Sequence, residues 1–496
     1  MLKLGKALFR YGISQKKSQL VNVARMANKK MSDLIPMNQK FFSQSTLKLD
    51  NPYTGEQILE LPFLSKEEQH EILVKAKDAS KKNRQSNLRE RKDVVRKIIK
   101  YLQDNKETIA VEITSCMGKP VLQSRQEIDT AIERCNALID ISEEALAKEV
   151  IESNKYVTKY LGTVLILSSF DFPILSAINH MIPALLCGNS VLIKDNPRTP
   201  IFGEHFQKAS ENNWVQSFLA NQQDVKLLYQ EHAINYVVFM GSLESAHDVY
   251  QEVAKNDFID VQLDLDMENA AEVLLRAAFY NAGQSRNSMQ RIYIEKAISN
   301  DFINLFSKMA FERLQIGDPM DEQTDIGPLA QLDYIEKMEG KNKQIKTKLI
   351  EFVADAVNMG GALVLGGNQN TDDKGMGRFF EPTIIANATN GMKVQAQQIF
   401  GPIVTFQEVE SDVQAKDLIN ASKYGVTSAI FTSDEICMDY FIGNLKVGVV
   451  NINKCPVMQD HYLPVTGRKV CGKILYNSKY AFDNFTRLKS VNIRLN

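Results

Sequence analysis

The chain has 496 residues, 44% hydrophobic and 24% charged, with a formal net charge of -1. That is the profile of a folded globular chain with core enough for two or three domains, and it carries no electrostatic signature for nucleic acid or a membrane surface. The six cysteines (116, 135, 187, 437, 455, 471) are scattered, without a CxxC pair or a Cys/His cluster, which excludes a zinc ribbon and a disulfide framework.

Residues 1–46 hold nine Lys/Arg and one acid, Asp33. "LKLGKALFRY" sets Leu4, Ala7 and Leu8 against Lys3, Lys6 and Arg10 at helical spacing, with no continuous apolar core of the secretory kind. The segment reads as a mitochondrial import peptide addressing the matrix; a disordered basic tail has the same composition. No run approaches the ~20 apolar residues of a membrane span. "NPYTGEQILELPFLSKEEQ" predicts a turn, a short strand and a helix capped by Ser65 with Glu68. Residues 86–148 are helical in pattern, with Ile98, Ile99, Leu102, Ile109, Val111 and Ile113 facing a core, and Cys116, Cys135 and Cys187 read as core too.

From 162 the pattern alternates. "GTVLIL", "SVLIK" and "INYVVFMGS" are short apolar runs of strands buried on both faces, separated by helices over "ILSAINHMIPALLCG" and "PIFGEHFQKASEN". Strand–helix–strand order predicts a parallel, doubly wound α/β sheet, with ligands at the carboxyl ends of its strands. Lys194 falls at one such end. Gly241 and Ser242 fall at another and open a helix, where free backbone N–H groups suit a phosphate. Further on, Lys337, Lys341, Lys343, Lys346 and Lys348 read as a solvated helix face or a partner surface. His461 reads as a surface histidine.

These segments, together with "SCMGKP", "FDFPILSAINHMIPALLCGNSVLIK", "NAGQS", "IGDPMDEQTDIGPLA", "FFEPTII", "IFGPIV" and "YGVTSAIFTSD", resemble in order the NAD(P)-dependent aldehyde dehydrogenases, most closely the succinate-semialdehyde type. The resemblance runs from about residue 50 to the end. It implies a Rossmann-like cofactor domain (47–257, interrupted by a flap hairpin near 146–161), a second α/β catalytic domain (258–450), and a C-terminal return and oligomerisation strand (451–496). It also implies NAD or NADP as cofactor, bound by Lys194, Gly241, Ser242, Gln398 and Phe400, with Gln398 standing where the family has a glutamate.

The chemistry of the family needs a thiolate nucleophile, an amide for the oxyanion and a glutamate base. The resemblance places Arg286 at the nucleophile, Asp171 at the amide and Gln262 at the base, in a segment about ten residues short. An arginine side chain stays protonated and is no nucleophile. The residues therefore predict a chain that has lost catalysis and acts as a structural or regulatory subunit of a homo- or hetero-oligomer or a larger mitochondrial assembly. An active dehydrogenase with its nucleophile elsewhere, Cys455 being conceivable, is the alternative, and a dinucleotide sensor a third reading. Arg286 and Asp171 are expected to meet as a salt bridge across the pocket.

Overall fold

The computed structural model describes residues 46–147, 150–151, 154–211, 213–220, 234–240, 257–261, 267–330, 337–339, 344–346, 348–457, 460–471 and 475–491. The basic segment 1–45, Gly241, Ser242 and Gln262 lie outside the described residues.

Chain entry follows the expected local chemistry. Thr46–Asp50 and Gln57–Pro62 form an antiparallel hairpin. Its turn is closed by Asn51 Oδ1, which accepts from the Tyr53 and Thr54 amides at 2.8 and 3.3 Å. The helix Lys66–Gln85 starts in a capping box: Ser65 Oγ accepts the Glu68 amide and Glu68 Oε2 accepts the Ser65 amide. Helices Leu88–Asp104, Lys106–Met117 and Val121–Ala145 fill the interval read as helical. All six predicted core positions in them are buried, and Cys116, Cys135 and Cys187 are buried beside them.

The first sheet is four-stranded and parallel, ordered Val215–Phe218, Ser190–Lys194, Thr163–Leu167, Tyr236–Phe239. Three of these strands are the apolar runs of the sequence. The edge strand Val215–Phe218 escapes that reading because Gln216 and Ser217 break its apolar run. The second sheet has seven strands: Ala362–Leu365, Thr383–Ala386, Ile403–Val409, Met289–Glu295, Asp257–Val261, Thr427–Phe431 and Val449–Ile452. All of its neighbours run parallel except the first pair. Asp257–Val261 takes a central place in this second sheet, so the shortened segment before Gln262 serves this sheet and not the first.

A third, antiparallel sheet joins Thr486–Val491 to Asn154–Tyr160 over six residue pairs, with Val150–Ile151 at its edge. This is the flap expected from the segment near 146–161 and the C-terminal strand. The lysine-rich stretch corrects an expectation of helix: among the described residues its backbone forms a two-stranded hairpin, Lys337–Glu339 with Gln344–Lys346, and a helix begins at Lys348. Lysines alternating with polar residues and a β-branched isoleucine have no strong helical period to enforce. Among the described residues no helix is long and apolar enough to cross a membrane.

Candidate active site

The carboxyl end of Thr163–Leu167 runs into Ser168–Phe172, and Pro173 then opens the helix Pro173–Leu186. This turn forms one wall of a cavity of about 220 Å³, whose other walls come from the Val121–Ala145 helix, the Ser285–Asn287 loop, and the segment around Cys455 and His461. The cavity therefore sits where a parallel sheet presents its loops.

Asp171 is 1% exposed. Its Oδ2 accepts from Arg286 Nε at 3.1 Å and from the Arg286 amide at 3.3 Å, while Oδ1 accepts from Ser169 Oγ. Burial alone would push this carboxyl up. The Arg286 charge, with the hydrogen bonds from Ser169 and Arg286, outweighs burial and holds it below the ordinary aspartate value. The salt bridge expected from the sequence is thus present, and it joins the two walls. Arg286 Nη1 is buried without a hydrogen-bond partner among the described residues.

The loop that carries Arg286 is fixed by backbone geometry. Asn281 and Ala282 adopt left-handed φ of 53° and 52°, and Gly283 follows at 67°. A Cβ on Gly283 would lie 2.2 Å from the Gly401 carbonyl oxygen, so the glycine lets the Arg286 loop pack on the Phe400–Pro402 segment. Asn281 pays back its strained backbone with a polar net: its amide donates to Gln123 Oε1 at 2.7 Å and its Nδ2 donates to the Gln284 carbonyl at 3.0 Å.

Beneath the ion pair lies a second one that the sequence did not disclose. Lys119 and Glu127 are fully buried and 2.6 Å apart. Glu127 Oε1 also accepts the Ile174 and Leu175 amides, at 2.9 and 3.1 Å, and so caps the start of the Pro173–Leu186 helix. The Lys119 ammonium lies 4.0 Å from the centre of the Phe172 ring, which stacks on Tyr280. "SCMGKP" was legible as a motif, but the partner of its lysine sits eight residues on, on the next helix.

Arg134 was missed as well. It is 1% exposed. It donates from Nε to His461 Nδ1 at 2.7 Å and from Nη1 to Asn179 Oδ1 and Asn477 Oδ1. Burial brings its pKa down to about 10, so it is charged at neutral pH. His461 is therefore no simple surface residue. Its Nδ1 accepts from Arg134, its Nε2 lies 3.2 Å from Glu133 Oε2, and burial followed by the Arg134 charge lowers its pKa.

A dinucleotide is a fair fit to what the described residues offer. Lys194 is 7% exposed at the end of its strand, burial lowers its pKa, and its ammonium makes no hydrogen bond among the described residues. Gln398 Nε2 is buried without a partner among the described residues, a donor suited to a ribose hydroxyl. Phe400 is half-buried and packs on Phe170, ring centres 5.9 Å apart. Cys455 is the cysteine on the cavity wall, 9% exposed and outside any disulfide.

Comparison with known proteins agrees with this architecture. The profile of the aldehyde dehydrogenase family matches residues 41–491. The chain is 28% identical over 474 residues to the 3-sulfolactaldehyde dehydrogenase of Priestia aryabhattai, covering 90% of this chain and 94% of the relative. It is 28% identical over 423 residues to the succinate semialdehyde dehydrogenase [NAD(P)+] Sad of Escherichia coli, covering 81% and 88%. Among solved structures, aldehyde dehydrogenase 21 of Physcomitrella patens with succinate superposes with a TM-score of 0.82 at 24% identity, covering 92% of this chain and 96% of that one. Glyceraldehyde-3-phosphate dehydrogenase of Methanocaldococcus jannaschii with NADP does so at 0.81 and 24%, covering 92% and 99%.

These relatives correct one expectation. Lost catalysis and a purely structural or regulatory role were read from Arg286, Asp171 and Gln262; relatives aligned over most of the chain are named as active dehydrogenases and back the alternative, an active enzyme. The error lay in treating one letter at each position as decisive for activity. The α/β fold expected, with a Rossmann-like cofactor half, stands. The chain belongs to the aldehyde dehydrogenase family.

Proposed function

We propose that this chain is an NAD(P)-dependent dehydrogenase that oxidises an aldehyde to the carboxylic acid. The observation that carries the reading is the alignment, over most of the chain, with relatives named for that reaction. Residues 47–257 form the cofactor half, 258–450 the catalytic half, and 451–496 the return and oligomerisation strand. Lys194 and Gln398 would hold the two ribose groups, Phe400 would pack beside the nicotinamide, and Gly241 and Ser242 would meet the pyrophosphate. The bound dinucleotide supplies the hydride acceptor.

The chain's own groups then share the remaining work. Arg286 has no lone pair for attack, so the thiol on the cavity wall, Cys455, is assigned as nucleophile. Its proton passes to solvent as its sulfur bonds to the carbonyl carbon, and the C=O electron pair moves onto the oxygen. Arg286, whose Nη1 has no hydrogen-bond partner among the described residues, would receive the carbonyl oxygen as it gains charge. Asp171 does not repel that oxygen as an isolated carboxylate would, because Arg286 compensates its charge. Water then adds to the acyl carbon of the thioester, the C–S bond breaks with its electron pair on sulfur, and one proton of that water restores the thiol as the acid departs.

The flap sheet supports assembly with further copies of the chain, and residues 1–46 support import into the mitochondrial matrix. The reading is tested by following NAD(P)H formation by the purified chain with a panel of aldehydes. Saturable turnover abolished by Cys455→Ala supports it; turnover unchanged in that variant moves the nucleophile elsewhere, and no turnover with any aldehyde contradicts the reading.

A further inference from the structure

Resting on the dehydrogenase reading, we propose that Asp50 is a positioning residue that clasps the loop after Lys194 to the segment supporting the Arg286 loop, and so sets the cofactor half against the catalytic half. Asp50 ends the first strand of the entry hairpin, and each of its carboxylate oxygens meets a different arginine. Oδ1 accepts from Arg198 Nη1, and Arg198 Nη2 donates to the Asp50 carbonyl at 3.0 Å. Oδ2 accepts from Arg378 Nη1. Arg198 follows Lys194 in a loop closed by Asn196, which accepts the Arg198 amide at Oδ1 and the Thr199 amide at its carbonyl, both at 2.9 Å. Leu49, next to Asp50, is 2% exposed within the first core, so the clasp is anchored on the cofactor side.

Arg378 carries the connection into the other half. Its carbonyl accepts the Leu329 amide at 2.7 Å, and its Nη2 donates to the Ala330 carbonyl at 3.4 Å. The Ala330 amide donates to Gln284 Oε1 at 2.8 Å, and Gln284 belongs to the loop that Asn281 braces and that ends in Arg286. The hairpin grips the same segment a second time: the Tyr53 hydroxyl donates to Asp372 Oδ2 at 2.6 Å, and its ring meets Phe379 edge to face. Charge makes Asp50 the keystone. The Asp50 side chain is 26% exposed and each arginine side chain 13%, so solvent screens their attraction only in part. Burial would raise the Asp50 carboxyl; the hydrogen bonds and charges of the two arginines outweigh burial and hold it below the ordinary aspartate value. Without that carboxylate, two like charges lie on either side of one site, and the halves lose the group that both hold.

The test reads the two sides separately on the full chain: calorimetric titration with NAD⁺ and NADP⁺, kcat and KM with an aldehyde, and amide hydrogen exchange over residues 281–287. Arg378→Met cuts the clasp on the catalytic side and leaves Asp50 paired with Arg198. It should lower kcat by about 10–100-fold, the effect of misplacing reacting groups by roughly 1 Å. Its dinucleotide affinity should stay within about 2-fold of the wild type. Asp50→Asn offers one amide oxygen to two arginines. It should lower kcat to a similar degree and also weaken the dinucleotide by about 3–10-fold, because the loop after Lys194 is no longer held in one arrangement. Both substitutions should speed exchange over 281–287 by at least about 5-fold. Unchanged kcat and exchange in folded Arg378→Met, or an equal fall of dinucleotide affinity in both variants, overturns the proposal. Exchange needs no turnover: faster exchange over 281–287 in variants of a chain that oxidises no aldehyde sinks the dehydrogenase reading alone, and wild-type turnover left intact in both variants sinks this inference alone.

Discussion

Two buried ion pairs lie side by side in this molecule, joined through one carbonyl. The Asp171 carbonyl oxygen is 3.4 Å from Lys119 Nζ, while the Asp171 carboxylate holds Arg286. The pairs are otherwise unlike. Lys119–Glu127 is closed to solvent on both sides, and Glu127 uses both oxygens, one on the ammonium and one on two helix amides. Arg286–Asp171 rests on one side-chain bond and one backbone bond, leaves Arg286 side-chain exposure at 11%, and strands Nη1. A pair whose donors and acceptors are all met is architecture. A pair with a donor left over is where chemistry or a ligand can enter.

Breaking the first pair should cost most. Glu127→Gln leaves the Lys119 charge buried without a counter-charge, and its one amide oxygen can serve either the ammonium or the Ile174 and Leu175 amides but not both, so the loss should be about 3–5 kcal/mol in denaturant unfolding. Asp171→Asn should cost less, about 1–3 kcal/mol, because the new amide oxygen still accepts from Arg286 and the guanidinium retains some solvent. If the second substitution proved the more damaging, the contrast between the pairs would be wrong.

A double-mutant cycle sharpens the point. Asp171→Asn with Arg286→Met should be less destabilising than the sum of the two by about 0.5–3 kcal/mol, since the partners are in direct contact. Additivity within a few tenths would show that the contact has no energetic content.

The smallest effect is on pH. Arg286 helps to hold the Asp171 carboxyl below its ordinary value, so the pair's stabilisation is present above the unfolded aspartate pKa, about 3.9, and is lost as pH falls through the depressed folded value. Arg286→Met removes the lowering charge and leaves burial to raise the carboxyl. The acid limb of the stability curve attributable to Asp171 should then flatten or reverse below about pH 5. An unchanged acid limb would contradict the assignment. Asp195 gives an internal control of opposite sign: burial pushes it up to about 7, so its contribution is complete below the unfolded value and fades as pH rises toward 7.

The sequence disclosed what depends on local pattern. Continuous apolar runs marked three of the four strands of the first sheet, and Ser65 with Glu68 marked a helix start. Arg286 and Asp171 were legible as a pair because opposite charges at facing positions of a recognisable family pocket must meet. Arg134 and Glu127 were not, since on a helix they read as ordinary polar faces. Their partners lie on other elements, His461 being 327 residues from Arg134. Val215–Phe218 was hidden for a related reason: the polar Gln216 is 5% exposed, its amide satisfied by the Val215 carbonyl and Asn213. Polar residues that bury by finding hydrogen-bond partners, whether near in sequence as for Gln216 or far as for Arg134, give no periodic signal.

The most direct measurement is NAD(P)H formation by the full chain with succinate semialdehyde, beside a neutral aldehyde of the same length. The account predicts saturable turnover of an aldehyde, abolished by Cys455→Ala. Dinucleotide binding without NAD(P)H formation from either aldehyde would contradict it.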